Sequence, residues 1–275
     1  MLRSAAPTLN MHEIVGSHDI LFVTLDTLRY DAAQRCFEAG RLPTLTPHLS
    51  PDGWEKRHTP ASFTYAAHQA FFAGFLPTPA RPGPHPRLFA LDFAGSETTD
   101  ANTFVFSDRA NIVQGFSDLG YRTICIGGVG FFNLLNPLGR ALPDLFDEAH
   151  WSPAFGVTAL DATERQVALA CERLRADDLR DRRCFTFLNV SAIHQPNRHY
   201  IPGAIEDDLD SHCAALEHVD RALAPLLDAS RRRAPTFVIV CSDHGTAYGE
   251  DGYVGHRIAH EVVMTVPYAH FVLTP

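Results

Sequence analysis

The chain has 275 residues, of which 45% are hydrophobic, and a formal net charge of −9. This size fits one large core better than two, so we expect a single domain over residues 1–275 with residues 1–18 as an N-terminal extension. The negative charge argues against a dedicated nucleic-acid binder. No segment has the pattern of a signal peptide or a membrane span, and the six cysteines form no C-x-x-C pair. We therefore expect a reduced, cytoplasmic protein without nucleic-acid or membrane partners.

Strand-like and helix-like patterns alternate along the chain. In order, they predict a strand at 19–25, a helix at 28–40, an irregular stretch at 42–59, a helix at 65–75, a Pro/Gly-rich loop at 77–87, a helix at 111–119, a strand at 122–127, a helix at 158–176, a strand at 184–190, a helix at 209–229, a strand at 235–241 and a last strand at 268–273. This alternation predicts the α/β class: a doubly wound, mostly parallel sheet with helices on both faces.

Two of the predicted strands end on acidic residues. Asp26 follows the first strand, and Asp243 with His244 follows the strand that ends at Cys241. Open α/β sheets bind ligands at the carboxyl ends of their strands, and a mixture of oxygen and nitrogen donors suits divalent cations. A lone strand-end Asp is more often the cap of the following turn, but two such strands and an adjacent His favour a metal site.

Motifs in the same order resemble those of the alkaline phosphatase superfamily over residues 19–275. The segments at 23–31 and 42–49 resemble its first metal-binding strand and the stretch that follows. Thr64, His68, Gly74 and Pro77 have the spacing of the nucleophile segment of sulfatases and nucleotide phosphodiesterases. Residues 120–123, 194–196 and 242–267 resemble later blocks, the last of them shared with phosphoethanolamine transferases. The resemblance implies an alkaline-phosphatase-like core.

The resemblance also implies the roles of several residues. Asp26, Asp243 and His244 would bind a first metal with Thr64 Oγ1, and Thr64 would be the nucleophile; the alternative is that Thr64 caps a helix. His256, twelve residues beyond His244, and His194 would bind a second metal. His68 would lie one turn after Thr64 on the same helix face and contact the transferred group. His260 and His199 are further candidates for ligands or oxyanion stabilisers, and the alternative for each is a surface or packed His.

Three neighbouring patterns carry structural predictions. Arg29 and Asp31 are interpreted mainly as an ion pair, and His212 and His218 as surface or packing residues on an amphipathic helix. The cluster Gly127–Gly130 lacks the full dinucleotide fingerprint and is interpreted as a tight turn beside the site.

The predicted activity is a metal-dependent hydrolase or transferase that acts on a phosphate ester through a threonine nucleophile. A phosphodiester or phosphonate monoester is favoured, small or peptide-linked, with two divalent ions as cofactors, Zn²⁺ best suited and Mn²⁺ possible. Position 64 is Thr, which cannot become the formylglycine of sulfatases. The alternatives are a sulfatase-like ester hydrolase without formylglycine, or a non-catalytic metal-binding scaffold. The chain is short for the superfamily, which suggests a partner protein that completes the pocket formed by the loops 77–101 and 131–153.

Overall fold

A computed structural model describes residues 9–74 and 110–275. Pro77, the predicted loops 77–87 and 77–101, and residues 1–8 of the N-terminal extension lie outside the described residues. The strands in chain order are β1 Asp19–Leu25, β2 Glu55–His58, β3 Arg122–Ile126, β4 Glu148–His150, β5 Cys184–Val190, β6 Thr236–Cys241, β7 Ala247–Tyr248, β8 Val254–Gly255 and β9 Thr265–Leu273. The α-helices are α1 Met11–Ile14, α2 Tyr30–Glu38, α3 Thr64–Ala73, α4 Ile112–Asp118, α5 Pro137–Ala141, α6 Ala162–Arg175, α7 Leu209–Arg233 and α8 Glu261–Met264.

Seven strands form the central sheet, in the order β2-β9-β6-β1-β5-β3-β4. The strands β6, β1, β5, β3 and β4 are parallel to one another, whereas β9 and β2 are antiparallel to their neighbours. The most apolar strands lie in the middle, as expected where both faces of a parallel sheet are covered. The central position of β1 brings the carboxyl ends of β1, β5 and β6 side by side.

Alternate residues of β1 pack against helices on opposite faces of the sheet. Leu21, Val23 and Leu25 belong to one apolar cluster together with residues of α2, α6 and α7. Ile20 and Phe22 belong to a second cluster with residues of α1, α3 and α4. This alternation follows from the two-residue period of a strand. It confirms the predicted doubly wound α/β fold with helices on both faces.

Several of the observed elements differ from the predicted ones; among them, α6 begins at Ala162 and β9 at Thr265. The stretch predicted as irregular contains β2, an edge strand that pairs with β9. All four of its residues, Glu-Lys-Arg-His, are exposed, so the sequence has no alternation of apolar and polar residues that would predict a strand. The short strands β4, β7 and β8 were not predicted. Helix α7 continues past residue 229 to Arg233, because arginine is a good helix former and its charge suits a helix C-terminus.

Within the described parts of the chain, none of the helices has both the length and the hydropathy needed to cross a bilayer.

Candidate active site

The carboxyl ends of β1, β5 and β6 meet at one edge of the sheet. Thr24 of β1 lies level with Asn189 of β5 and with Cys241 of β6. Asp26 and Asp243 each come two residues after these positions, just beyond the ends of β1 and β6, so the parallel register brings them close. The chain then turns sharply after Asp26, where Thr27 has a φ of 63°.

Asp26, Asp243 and His244 form a compact, completely buried cluster. One ligand atom from each lies within 4.8 Å of the others, and all three side chains are 0% exposed. Among the described residues, Oδ1 of Asp26 and Oδ2 of Asp243 have no hydrogen-bond partner. Buried carboxylate oxygens without partners are costly. Their pairing with an imidazole fits a divalent cation, which accepts oxygen and nitrogen donors together.

Burial also changes the acidity of this cluster. It raises the pKa of Asp243 to about 7. Burial and the nearby charge of Asp243 raise the pKa of Asp26 as well, whereas burial lowers the pKa of His244. Protons and a cation therefore compete for the same carboxylates, while the imidazole is neutral and its free nitrogen is available as a ligand.

The hydroxyl of Thr64 faces this cluster. Thr64 is the first residue of α3, and the N-cap is Phe63, which makes no side-chain cap. Oγ1 of Thr64 lies 3.3 Å from Oδ2 of Asp26 and 3.3 Å from Nε2 of His244. His244 donates from Nδ1 to the carbonyl of Gly245 at 2.8 Å, so its Nε2 is the free acceptor. The alternative role for Thr64, capping the helix, is thus not the one its side chain adopts.

His68 lies beneath Thr64, and its Nδ1 is 3.7 Å from Oδ2 of Asp243. Its Nδ1 donates to the carbonyl oxygen of Thr64 at 2.7 Å, and its Nε2 accepts from Oγ1 of Thr24 at 3.1 Å. The ring is 0% exposed and packs edge-on against Phe132 and Phe187. With both nitrogens hydrogen-bonded, His68 supports the backbone of Thr64, and its contact with the transferred group stays a prediction.

Two further histidines adjoin the cluster. The ring of His256 lies 4.7 Å from the ring of His244 and 5.6 Å from that of His194, between centroids. His194 donates from Nδ1 to the carbonyl of Gln195 at 2.6 Å, which leaves its Nε2 free. Burial and the two neighbouring histidines lower the pKa of His256 to about 3. The structure thus brings together Asp26, Thr64, Asp243, His244, His194 and His256.

The structure does not bring His260 and His199 into this group. His260 caps α8, accepting from the backbone N–H of Val262 at 3.3 Å, and its Nε2 pairs with Asp251 at 3.1 Å. The ring of His199 packs on Tyr200, with centroids 4.4 Å apart. Among the described residues, no ring contact or hydrogen bond joins either of them to the cluster.

Asn189 is a site residue that the sequence analysis missed. Its Nδ2 donates to Oδ2 of Asp26 at 3.2 Å and to Thr24 at 3.3 Å, and its Oδ1 accepts from the N–H groups of Gly128 and Val129. A Cβ on Gly128 would lie 2.4 Å from the carbonyl oxygen of Asn189, so this close approach requires glycine. The signal in the sequence was a single Asn near the end of an otherwise apolar strand.

Arg257 was also missed. It has a φ of 69°, and its N–H donates to the carbonyl of Ser62 at 2.9 Å. Its guanidinium lies 6.0 Å from the centroid of the Phe63 ring. The positive charge is near enough to help lower the pKa values of His244 and His256, although burial is the larger cause for both. Arg257 therefore places an exposed positive charge near His244 and His256.

Several solved structures are similar to this chain over almost its whole length. The lipoteichoic acid synthase LtaP from Listeria monocytogenes is 13% identical, over 92% of this chain and 65% of its own, with a TM-score of 0.63. The C-terminal periplasmic domain of the phosphoethanolamine transferase EptC from Campylobacter jejuni is 14% identical, over 93% of this chain and 80% of its own, with a TM-score of 0.60. A protein in the alkaline phosphatase superfamily from Vibrio parahaemolyticus is 16% identical, over 94% and 61%, with a TM-score of 0.58.

A corresponding domain from Escherichia coli, EcEptC, was solved in complex with Zn; it is 11% identical, over 94% of this chain and 74% of its own, with a TM-score of 0.60. This chain spans less than two thirds of the length of LtaP and of the Vibrio protein. No protein-family model and no curated protein matches the chain by sequence.

Proposed function

We propose that this chain, which has the fold of the alkaline phosphatase superfamily and of phosphoethanolamine transferases, is a phosphate-ester transferase or hydrolase with Thr64 as its nucleophile. The observation that carries the proposal is the environment of the Thr64 hydroxyl. It lies at the start of a helix, is not used as a cap, and is 3.3 Å from both Asp26 and His244 in a buried cluster. A threonine kept only for packing has no need of two such acceptors.

The residues that would hold divalent cations follow from the same geometry. Asp26, Asp243 and His244, together with Thr64 Oγ1, would form one site, and His194 and His256 would contribute to a second beside it. When bound, cations at these positions supply Lewis-acid stabilisation of charge on the attacking and leaving oxygens. The carboxylate and imidazole donors suit zinc best, and manganese is also compatible. The zinc complex of the EcEptC domain supports zinc.

The protein's own groups account for the movement of the nucleophile's proton. The Thr64 O–H can donate to Oδ2 of Asp26, which lies 3.3 Å away, because Oδ1 of the same carboxylate is the oxygen left for a cation. As that proton leaves, Oγ1 forms a bond to phosphorus, and the bond from phosphorus to the leaving-group oxygen breaks. The proton from Thr64 passes to the leaving-group oxygen, so the products are a phosphorylated Thr64 and a released alcohol. Water or an acceptor alcohol then attacks phosphorus, the bond to Oγ1 breaks, and the proton lost by the attacking oxygen returns to Oγ1 of Thr64.

Other residues hold these atoms in place. His68 fixes the carbonyl of Thr64 through a 2.7 Å hydrogen bond, and Asn189 fixes Asp26 through a 3.2 Å hydrogen bond. The charge of Arg257 would attract an anionic substrate to the mouth of the site. Because the charge of Arg257 would complement a singly charged anion, we favour a phosphodiester or phosphonate monoester, which carries one negative charge, over more highly charged esters.

The test is the fate of Thr64 during turnover of a slow p-nitrophenyl phosphodiester by the zinc-loaded protein. Intact-mass measurement and peptide mapping should locate a phosphoryl adduct on Thr64. Thr64→Ala should abolish the adduct and slow turnover by at least about a hundredfold, as losing a covalent nucleophile should. Thr64→Ser should retain part of the activity, because it keeps the hydroxyl.

A matched control is Thr236→Ala. Thr236 is buried like Thr64, at 2% exposed. It is the first residue of β6, at the end of the strand away from the cluster, and its Oγ1 donates to the carbonyl of Ala234. This variant should keep its turnover. Full activity in Thr64→Ala would refute the proposed nucleophile, and turnover of sulfate esters alone would favour the sulfatase-like alternative. Metal binding without turnover of any ester would favour a scaffold.

A further inference from the structure

A chain of buried hydrogen bonds runs behind the His194 and His256 pair. The backbone N–H of Arg29 donates to Nε2 of His212 at 3.3 Å. His212 is 0% exposed, and burial together with the charge of Arg29 lowers its pKa to about 3, so the ring is neutral. Because Nε2 accepts, the single ring proton is on Nδ1. It is donated to the hydroxyl oxygen of Tyr248 at 2.9 Å.

A second donor reaches the same hydroxyl from another segment. Asn197, which is also 0% exposed, donates from Nδ2 to Tyr248 Oη at 2.9 Å and to the carbonyl of Ile193 at 2.9 Å. Its Oδ1 accepts from Oγ of Ser211 at 2.6 Å, at the start of α7. The Tyr248 hydroxyl therefore joins the segment that contains His194 to helix α7 and to its own strand.

The bonds bear directly on where the two histidines lie. Tyr248 pairs with Val254 in the β7–β8 hairpin, and Ala247 pairs with Gly255, which immediately precedes His256. Asn197 holds the carbonyl of Ile193, which immediately precedes His194. A single hydroxyl thus connects the residues next to both histidines, although Tyr248 has no contact with either ring among the described residues.

A parallel connection ties the hairpin to the end of β1. The guanidinium of Arg29, 3% exposed, forms ion pairs with Asp31 and Glu250 and donates to the carbonyl of Thr246 at 3.4 Å. The hydroxyl of Thr246 donates to Oε1 of Gln195 at 3.3 Å. The predicted Arg29–Asp31 pair is therefore one part of a larger network. Arg29 follows Asp26 by three positions, so both halves of the cluster share one anchor.

We infer that Tyr248 is a positioning residue that holds His194 and His256 together as one half of the cation site through its hydroxyl. The inference rests on the proposed function, because it concerns how this chain would hold the second cation. Buried polar networks of this kind orient ligands without touching the ion, and removal of such supports typically weakens metal affinity about 10- to 100-fold.

The experiment compares Tyr248→Phe with Tyr121→Phe in the full chain. Tyr121 is a suitable control because its buried hydroxyl also has two partners: it accepts from the N–H of Gly16 at 2.7 Å and donates to the carbonyl of His18 at 2.8 Å, near the amino end of β1. Zinc titrations by calorimetry give the affinity of each ion. Hydrogen exchange of residues 192–200 and 245–256, in chelator, gives the mobility of the two segments without metal.

We expect Tyr248→Phe to bind the weaker ion at least about tenfold less tightly, to keep the tighter ion, and to exchange faster in both segments. Tyr121→Phe should match the wild type in all three measurements. Equal effects of the two substitutions, or no change in Tyr248→Phe, would overturn the inference. If the wild type binds no second ion, the two-cation function fails. Faster exchange in Tyr248→Phe alone would still support the positioning role in that case.

Discussion

Substitution of Asp243 by Asn should stabilise the metal-free protein while abolishing tight metal binding. Asp243 is 0% exposed, and burial raises its pKa from 3.8 to about 7. The folded protein therefore holds a proton that the unfolded chain releases near pH 4. Between the unfolded pKa of 3.8 and the folded pKa of about 7, the unfolded state binds fewer protons than the folded state. The free energy of unfolding of the metal-free protein therefore falls as the pH rises through this range.

The size of the effect follows from the two pKa values, 3.8 and about 7. With about 1.4 kcal/mol for each tenfold change in an equilibrium constant, the difference between the two pKa values lowers the free energy of unfolding by about 4 kcal/mol at pH 8 and by about 2 kcal/mol at pH 5. Asn removes this cost at both pH values. Its Oδ1 can still accept from the N–H groups of Thr27 and His244, as Oδ1 of Asp243 does at 3.2 and 3.0 Å.

The assay is urea denaturation in the presence of a chelator at pH 5 and pH 8, with zinc titrations in parallel. Asp243→Asn should raise the free energy of unfolding, and by about 2–3 kcal/mol more at pH 8 than at pH 5. Asp220→Asn is the control, because the buried Asp220 carboxylate accepts from the N–H groups of Thr44 and Leu45 at 2.9 Å each. Asn has only one accepting oxygen, so Asp220→Asn should lower the free energy of unfolding, and it should keep metal binding. A destabilised Asp243→Asn at pH 8, or one that still binds zinc tightly, would refute the reasoning.

Two further predictions concern the rim of the cluster. His256→Ala and His194→Ala should each lose the weaker metal ion and slow turnover by at least about a hundredfold. His260→Ala removes a helix cap and should keep both ions. Elemental analysis and steady-state kinetics of the three variants test this, and loss of metal in His260→Ala alone would contradict it. Arg257→Gln should raise KM for an anionic diester several-fold and leave kcat and the stability curve nearly unchanged, because the exposed guanidinium attracts substrate and does not hold the fold. An unchanged KM would remove Arg257 from the proposed substrate site.

The fold class could be predicted because the spacing of hydrophobic residues along the chain distinguishes strands from helices. The strand predicted at 184–190 coincides with Cys184–Val190, since a run of buried residues is a strong local signal. The edge strand Glu55–His58 gave no such signal, because all its side chains are exposed and only backbone pairing identifies it. The resemblance to the alkaline phosphatase superfamily is confirmed at the level of the fold. Cytoplasmic location and a partner protein stay predictions, and the similar structures include periplasmic domains.

The candidate site could be predicted only in part. Asp26 and Asp243 follow strands, so the parallel sheet itself predicts that they converge. The loop residues gave weaker signals: His256 was placed by spacing within a resembling motif, and the same reasoning favoured His260 and His199 less. His212 was predicted to be a surface or packing residue; it is 0% exposed, which agrees with the packing alternative, and it is also hydrogen-bonded at both nitrogens. Such a role depends on partners far away in sequence, for which one helix pattern carries no information.

Asp26 and Asp243 are each held by hydrogen bonds at one carboxylate oxygen, which come from different neighbours. Oδ1 of Asp243 accepts from the N–H groups of Thr27 and His244, while Oδ2 of Asp26 accepts from Asn189 and Thr64. Each carboxylate thus has one oxygen held by the protein and one without a partner among the described residues. This division fixes the orientation of both groups and keeps one oxygen of each available to a cation.

The conformation of Thr27 is part of this preparation. A β-branched residue with a φ of 63° is unfavourable by about 1–3 kcal/mol. The N–H of Thr27 nevertheless donates to Oδ1 of Asp243, 3.2 Å away. Two residues later, the N–H of Arg29 donates to Nε2 of His212. The strained turn at Thr27 thereby orients the carboxylate of Asp243 and begins the hydrogen-bond network behind His194 and His256. The cost is offset by the core around β1, where Leu21, Val23 and Leu25 are each at most 1% exposed and each contributes about 1.5–3 kcal/mol.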